Sequence, residues 1–295
     1  MTPLEMLTSV RYWIDEPNAG HWTNIELMSH LFNGQQRVCR AISNIDPTFF
    51  IASTLISFTA DGTTYALPRN FRLGGRVAYV EFLDTDGTVL DFAYDIRLRD
   101  QVPLNVGAPS LPNDLTFGFV LEGNVLRIAP TPSSARTNAL RVWYTPVFGD
   151  MQQGDVSAAT ATTLTLPQQP TYRMADTSIL DDFYNGMTVR IIAGTGIGEE
   201  KAITDYTGGS TRQATVSTWT ATPTSSSDYA ILCPVPEDFH DVVVLEAAKD
   251  ASAKRPSKTP VITAALADRR MEMLSWVSER QTFRMETIEP VDTGY

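Results

Sequence analysis

Thr23-Asn24-Ile25-Glu26-Leu27-Met28-Ser29-His30-Leu31-Phe32-Asn33-Gly34-Gln35-Gln36-Arg37-Val38-Cys39-Arg40-Ala41-Ile42 is the stretch that decides the fold. It opens on a capping box, with Thr23 followed three residues later by Glu26. Leu27, Leu31, Val38 and Ile42 then fall on one helical stripe, with Met28, Phe32 and Cys39 beside it. Pro47 closes the helix. A helix with one apolar side needs a neighbour to cover it. Both ends of the chain supply candidates.

Toward the N-terminus, Thr2-Pro3-Leu4-Glu5 is a second capping box with proline at the first helical position. Leu4, Leu7, Arg11 and Ile14 follow at helical spacing, and Asp15 to Gly20 breaks the helix. Toward the C-terminus, Pro236-Glu237-Asp238 starts a third helix, its early acids suited to the positive end of the helix dipole. Phe239, Val242, Val243 and Ala247 form its apolar face, and Arg255-Pro256 ends it. Thr259-Pro260 starts a fourth, with Ile262, Leu266, Met273, Leu274 and Val277 as its stripe. Four stripes without other partners predict a four-helix bundle built from residues 1–46 and 236–281. Residues 282–295 have no useful period and are expected to form an extended tail.

Between the helix pairs the period changes. Thr54–Thr59, Thr63–Leu67, Arg76–Leu83, Thr88–Arg97, Phe117–Leu121, Val125–Ala129 and Leu140–Tyr144 are short runs rich in β-branched and aromatic residues. Asp61-Gly62, Asp86-Gly87 and Gly123-Asn124 punctuate them as turns. The spacing leaves no room for crossover helices, so residues 47–149 predict an antiparallel β domain. Residues 150–235 are richer in Ala, Thr, Ser and Gly and carry nine acids against four bases. Thr163–Leu166, Thr188–Ile192, Glu200–Asp205, Gln213–Ser217 and Tyr229–Leu232 still have strand patterns. The expectation is a smaller β module inserted into the first and standing away from the helices, where its acids are solvated. The fold class is α+β.

The 295-residue chain has a formal net charge of −11 and 43% hydrophobic residues. An acid excess of that size argues against gripping free nucleic acid, whose phosphates need clustered Lys and Arg. No run approaches the roughly 18 apolar residues of a membrane helix. The start, Met1-Thr2-Pro3-Leu4-Glu5, does not have the pattern of a signal peptide. These features predict synthesis in a cytoplasm and no membrane partner. Cys39 and Cys233 have no metal-ligand spacing and are expected to be free buried thiols.

Each candidate for chemistry has a simpler reading. His21, His30 and His240 are scattered and form no zinc motif. Gly194-Thr195-Gly196-Ile197-Gly198 lacks the Gly-Lys-Ser/Thr ending of a phosphate loop, and Glu199-Glu200 would repel a phosphate, so a hairpin turn is expected. In Asp84-Thr85-Asp86-Gly87, the positions where a calcium loop needs Gly and Glu hold Val89 and Asp95. Asp181-Asp182 and Glu199-Glu200 are pictured more simply as solvated acids than as the two carboxylates of a glycosidase. The sequence therefore predicts no catalytic centre, no metal and no cofactor.

Several phrases, in this order, resemble those of tailed-bacteriophage head-to-tail adaptors, also called head-completion or tail tubular proteins. They are Trp22-Thr23-x-x-Glu26-Leu27, Asn33-Gly34-Gln35-Gln36-Arg37-Val38, and Tyr65-Ala66-Leu67-Pro68-Arg69-Asn70-Phe71. Leu126-Arg127-Ile128-Ala129-Pro130-Thr131-Pro132 and Leu140-Arg141-Val142-Trp143-Tyr144 follow, then Pro236-Glu237-Asp238-Phe239 and Ala247-Ala248-Lys249-Asp250-Ala251. Gly34 stands where the family more often has Ala. The inserted module resembles one found in various phage virion proteins.

The resemblance implies a ring, twelve copies in number, between the portal and the tail of the virion, made in the host bacterial cytoplasm. The helices would face the portal protein and the β modules the tail nozzle proteins. DNA would pass along the channel without specific binding. The tail's Phe283, Met285, Ile288, Val291 and Tyr295 would bind the portal. Extended, Phe283 to Tyr295 spans roughly 44 Å. Two rival classes are a β-rich receptor-binding or fibre protein, which would do without the terminal helix pairs, and a cell-wall glycan hydrolase.

Overall fold

The structure, a computed structural model, describes residues 1–18, 20–71, 77–95, 118–129, 131–171, 176–254 and 259–285. The elements run α1 (Pro3–Trp13), α2 (Asn24–Ile45), strands β1 to β14, α3 (His240–Ala251) and α4 (Thr259–Met285). The chain divides into two units: residues 47–147, and residues 1–46 together with 148–295.

Both N-terminal capping boxes form. The Thr2 and Thr23 side chains accept from the backbone of Glu5 and Glu26, and each glutamate reaches back to its cap residue. The break between the helices is organised by two buried charges. One oxygen of Glu16 accepts the backbone N–H groups of Gly20, His21 and Trp22. Burial pushes the Glu16 carboxyl up, but those three donors and nearby Arg11 outweigh it and hold it below the usual range. Arg11 donates to the Trp22 carbonyl at 3.0 Å and to Asn24 Oδ1 at 2.7 Å. Arg11, spaced as a stripe position, is thus a buried cation tying α1 to the start of α2, while Met6 and Val10 take core places.

α3 packs against α1, α2 and α4, and α2 also meets α1 and α4. Val242, Val243, Val244, Leu245, Ala247 and Ala248 are all buried. Lys249 is the one exposed residue of this helix, so most of its circumference is enclosed. α4 presents Ile262, Leu266, Met273 and Val277 inward, as its stripe predicts. It also continues past Gln281 to Met285, so the extended tail expected from residue 282 begins as helix. The cause is local: Thr282-Phe283-Arg284-Met285 contains no Gly or Pro, and the first breaker is Pro290. Cys39 and Cys233 are buried and in no disulfide, and burial pushes the Cys233 thiol up to about 12.

Residues 47–147 carry β1 (Ala52–Phe58), β2 (Thr64–Ala66), β3 (Val77–Leu83), β4 (Val89–Asp95), β5 (Gly118–Glu122), β6 (Val125–Ala129) and β7 (Arg136–Tyr144). Their order is β1-β7-β3-β4-β5-β6-β2. Ala52 lies opposite Tyr144, so the first and last strands of the unit are neighbours and its two ends meet. β7 alternates cleanly: Leu140, Val142 and Tyr144 enter a core with Ile56, Phe58, Val80, Phe82, Leu126 and Ile128. Burying such a side chain contributes about 1.5–3 kcal/mol before ordering costs. Asn70 latches the end of the unit, taking the Tyr144 hydroxyl on Oδ1 at 2.8 Å and the Val147 N–H on its carbonyl. One pairing departs from the antiparallel expectation: Tyr94 and Asp95 of β4 run parallel to Gly118 and Phe119 of β5.

The other seven strands are β8 (Gln152–Asp155), β9 (Ala158–Ala159), β10 (Thr163–Thr165), β11 (Thr188–Ala193), β12 (Glu200–Thr207), β13 (Gln213–Val216) and β14 (Asp228–Ile231). They form a wholly antiparallel sheet, β8-β14-β11-β12-β13-β10-β9. The expected insert is corrected in two ways. With the same number of strands as the first sheet, it follows that sheet in the chain without interrupting it. It also does not stand away from the helices: α1 touches β8, and Gln153 Oε1 accepts the Leu4 N–H at 3.1 Å. Apart from Asp150, its acids sit on exposed or half-exposed turns and strand faces, which leaves an apolar inner layer free to pack.

Candidate assembly surface

The phrase Asn33-Gly34-Gln35-Gln36-Arg37 lies in the middle of α2, and each of its last four residues has a definite partner. Gly34 faces α3. A Cβ built there would lie 2.9 Å from the Val243 carbonyl oxygen and 3.2 Å from Glu246 Cβ. The hydrogen side chain therefore sets how closely the two helices approach. Gln35, fully buried, donates from Nε2 to the Gly149 carbonyl at 2.7 Å. Gln36 donates to the Phe148 carbonyl, also at 2.7 Å. Two adjacent amides thus fix the backbone where the chain re-enters the helical unit.

Arg37 completes the motif. It grips Asp250 with two nitrogens at 3.0 and 2.7 Å and reaches Glu246 Oε2 at 3.2 Å. The other oxygen of Glu246, a buried residue, faces Arg270 Nη1 of α4 at 3.4 Å. One buried carboxylate therefore links α2, α3 and α4. Beside it lies an open cleft of about 450 Å³, lined by Arg37, Arg40, Asn44, Lys249, Asp250 and Arg270 among others. Asp250 and Glu246 are already paired there, whereas Arg40 and Lys249 have no ion pair among the described residues.

A second polar cluster is enclosed in the β8–β14 sheet. The Tyr184 hydroxyl donates to Asp150 Oδ1 at 3.0 Å, Gln152 Nε2 donates to Oδ2 at 2.9 Å, and the Tyr206 hydroxyl donates to the Ser178 carbonyl. Tyr184 and Tyr206 stack edge to face with centroids 4.8 Å apart. Enclosure pushes the Asp150 carboxyl up to about 6, against the two donors that favour its charge. Burial raises Tyr184 well above its ordinary range and Tyr206 to about 12. Sequence reading passed over Asp150 and Gln152 because nothing local marks them; their partners lie up to 34 residues away.

The acids weighed for catalysis are engaged with backbone, a side-chain amide or a cation, Asp182 accepting from Asn185 Nδ2 at 2.9 Å. Asp181 accepts the Gly208 N–H at 2.9 Å, Glu199 accepts from Thr220 and Ala221, and Glu200 pairs with Arg190. Those two backbone donors hold Glu199 below the usual carboxylate range. Gly194, Gly196 and Gly198 take φ of 77°, 84° and 85° in the turn joining β11 to β12, which explains the glycines without a phosphate. Among the described residues no group of three or more His, Cys, Asp or Glu could hold a metal. No described helix is long and apolar enough to cross a membrane.

Of the five residues expected to bind a portal, Phe283 and Met285 lie on the last turn of α4. Ile288, Val291 and Tyr295 fall outside the described residues. Farther up α4, Val261 and Met271 are exposed, and Trp276 lies half exposed beside Phe239 with Arg280 over its ring at 6.0 Å.

Two outcomes check these contacts. Gly34→Ala should destabilise the protein by about 1–3 kcal/mol in denaturant unfolding, because α3 must move for the methyl to fit; no loss would refute the close approach. Asp150→Asn tests the raised carboxyl. A carboxyl whose folded value exceeds its ordinary 3.8 stabilises the fold below that value and loses the contribution as pH rises through about 6. Relative to wild type, the variant should therefore gain about 1–3 kcal/mol between pH 4 and pH 7. A pH-independent difference would contradict the enclosure.

Residues 1–177, more than half of the chain, match the family model described as SU10 adaptor protein. The matched span contains the α2 motif, the whole first sheet, the Asn70 latch and the Phe148–Gly149 re-entry that Gln35 and Gln36 hold. No curated protein matches the chain. The match over these motifs places the chain in the SU10 adaptor protein family, a family of phage head-to-tail adaptors, as a structural component of the virion.

Proposed function

We propose that the protein forms a closed ring, twelve copies in number, between the portal and the tail, and that this ring lines the channel through which DNA leaves the head. The observation that carries the reading is the family match over residues 1–177. In this reading the four helices act as one bundle against the portal protein, and the β-sheets meet tail proteins. The four helices also weigh against the fibre alternative, which has no use for them. The acid excess suits a conduit. A chain with formal charge −11 offers no continuous phosphate-binding track, so the duplex slides past without being held.

The portal contact is assigned to the C-terminal end, from Phe283 and Met285 on α4 through Ile288, Val291 and Tyr295. These side chains are too apolar for a solvating tail, and Pro290 and Gly294 prevent them from forming one continuous helix. Each apolar group that docks contributes about 1.5–3 kcal/mol before ordering costs. Two variants test the assignment in a pull-down with isolated portal rings. Truncation after Met285 preserves α4 and removes the last three anchors. Phe283→Ala with Met285→Ala keeps the segment but removes the first two. Both should stay folded and retain less portal; undiminished retention by both would remove this assignment.

A further inference from the structure

We infer that the cleft between α2, α3 and α4 receives carboxylates from the second β-sheet of a neighbouring copy of this chain. The cleft is lined by Arg37, Arg40, Lys249 and Arg270 against Glu246 and Asp250. Both acids are already committed, Glu246 to Arg37 and Arg270 and Asp250 to Arg37. Arg40 and Lys249 are exposed and have no ion pair among the described residues. The site is thus cationic by two charges in a chain whose net charge is −11.

The complementary surface lies in the same unit. Residues 150–235 carry nine acids and four bases; Asp205 on β12 and Asp176 in the loop leading to β11 are exposed acids without an ion pair among the described residues. α3 links the two regions. Near its first turn Glu237 binds Arg190 of β11, and near its last turn Lys249 and Asp250 line the cleft. At 1.5 Å per residue these places are roughly 20 Å apart along the helix. Surplus cations and surplus acids therefore coexist unpaired on one body. Copies with formal charge −11 repel one another, and a contact placing one copy's acids against the next copy's cations offsets that repulsion locally. Such a contact joins two different patches, so it is heterologous and propagates into a ring or a filament. The inference deepens the ring reading proposed above and rests on it.

Sedimentation velocity of the full chain at roughly 0.05 M and 0.5 M salt tests it, because exposed charge pairs are screened at the higher value. Self-association should appear at low salt and weaken at least about tenfold at high salt. Arg40→Glu with Lys249→Glu should weaken it by a similar factor, and the neutral pair Arg40→Gln with Lys249→Gln should fall between. Neither side chain holds the fold together, so circular dichroism should be unchanged. Adding Asp176→Lys and Asp205→Lys to the charge-reversed chain should restore association. A wild type that stays monomeric at low salt, or association indifferent to the reversal, would overturn the inference. So would a cleft-dependent binding of duplex DNA or of a glutamate-rich peptide that leaves self-association untouched. Portal pull-down of the same reversed chain separates the two readings: retained portal binding with lost or absent self-association leaves the adaptor role standing and concerns the cleft alone.

Discussion

Gly34 sets the separation of α2 and α3, and the organisation of the helical unit depends on that one close contact. With the Val243 carbonyl 2.9 Å from where a Cβ would sit, the helices meet backbone to side-chain base. Successive helical positions point about 100° apart, so the residues after Gly34 address different neighbours. Gln35 and Gln36 hold Gly149 and Phe148, and Arg37 turns to Glu246 and Asp250. A helix that stood farther from α3 would draw Arg37 away from Glu246 and Asp250. The cost of glycine inside a helix, about 0.5–1 kcal/mol, is offset by the contacts that it permits.

Charge is arranged on the same frame. The buried Glu246 carboxylate is tolerable because two guanidiniums from different helices neutralise it. That pairing uses Arg37 and Arg270 and leaves Arg40 and Lys249 facing the cleft. In the proposed ring each copy would be held to its neighbours while a polyanion passes, and a predominantly acidic chain with a small cationic cleft has charge features suited to both.

The parts of the fold that were legible in the sequence are those fixed by local chemistry. Both capping boxes, the stripe of α4, the Asp86-Gly87 and Gly123-Asn124 turns and most strands follow from neighbours within a few residues. What escaped was decided at long range. β8 reads as Gln-Gln-Gly-Asp, a polar run, yet Gln152 and Gln153 are buried because β14 pairs along the whole strand and α1 abuts it. Val244 and Leu245 lie outside the apolar face that spacing assigns to α3, yet both are buried. Arg11 passed for a stripe position because spacing records a place on a helix and not what lies opposite. For the assembly surface, Gly34 read as a slightly weak helix position, although the structure shows why no larger residue fits.

The mass of the protein mixed with isolated portal rings, compared with portal rings alone, addresses the adaptor role most directly. A portal-to-tail adaptor predicts a discrete added mass equal to a whole closed ring of copies, twelve in the proposed arrangement, with no partially filled series at saturation. Portal rings that gain no mass, or that gain single copies at random without closure, would contradict it.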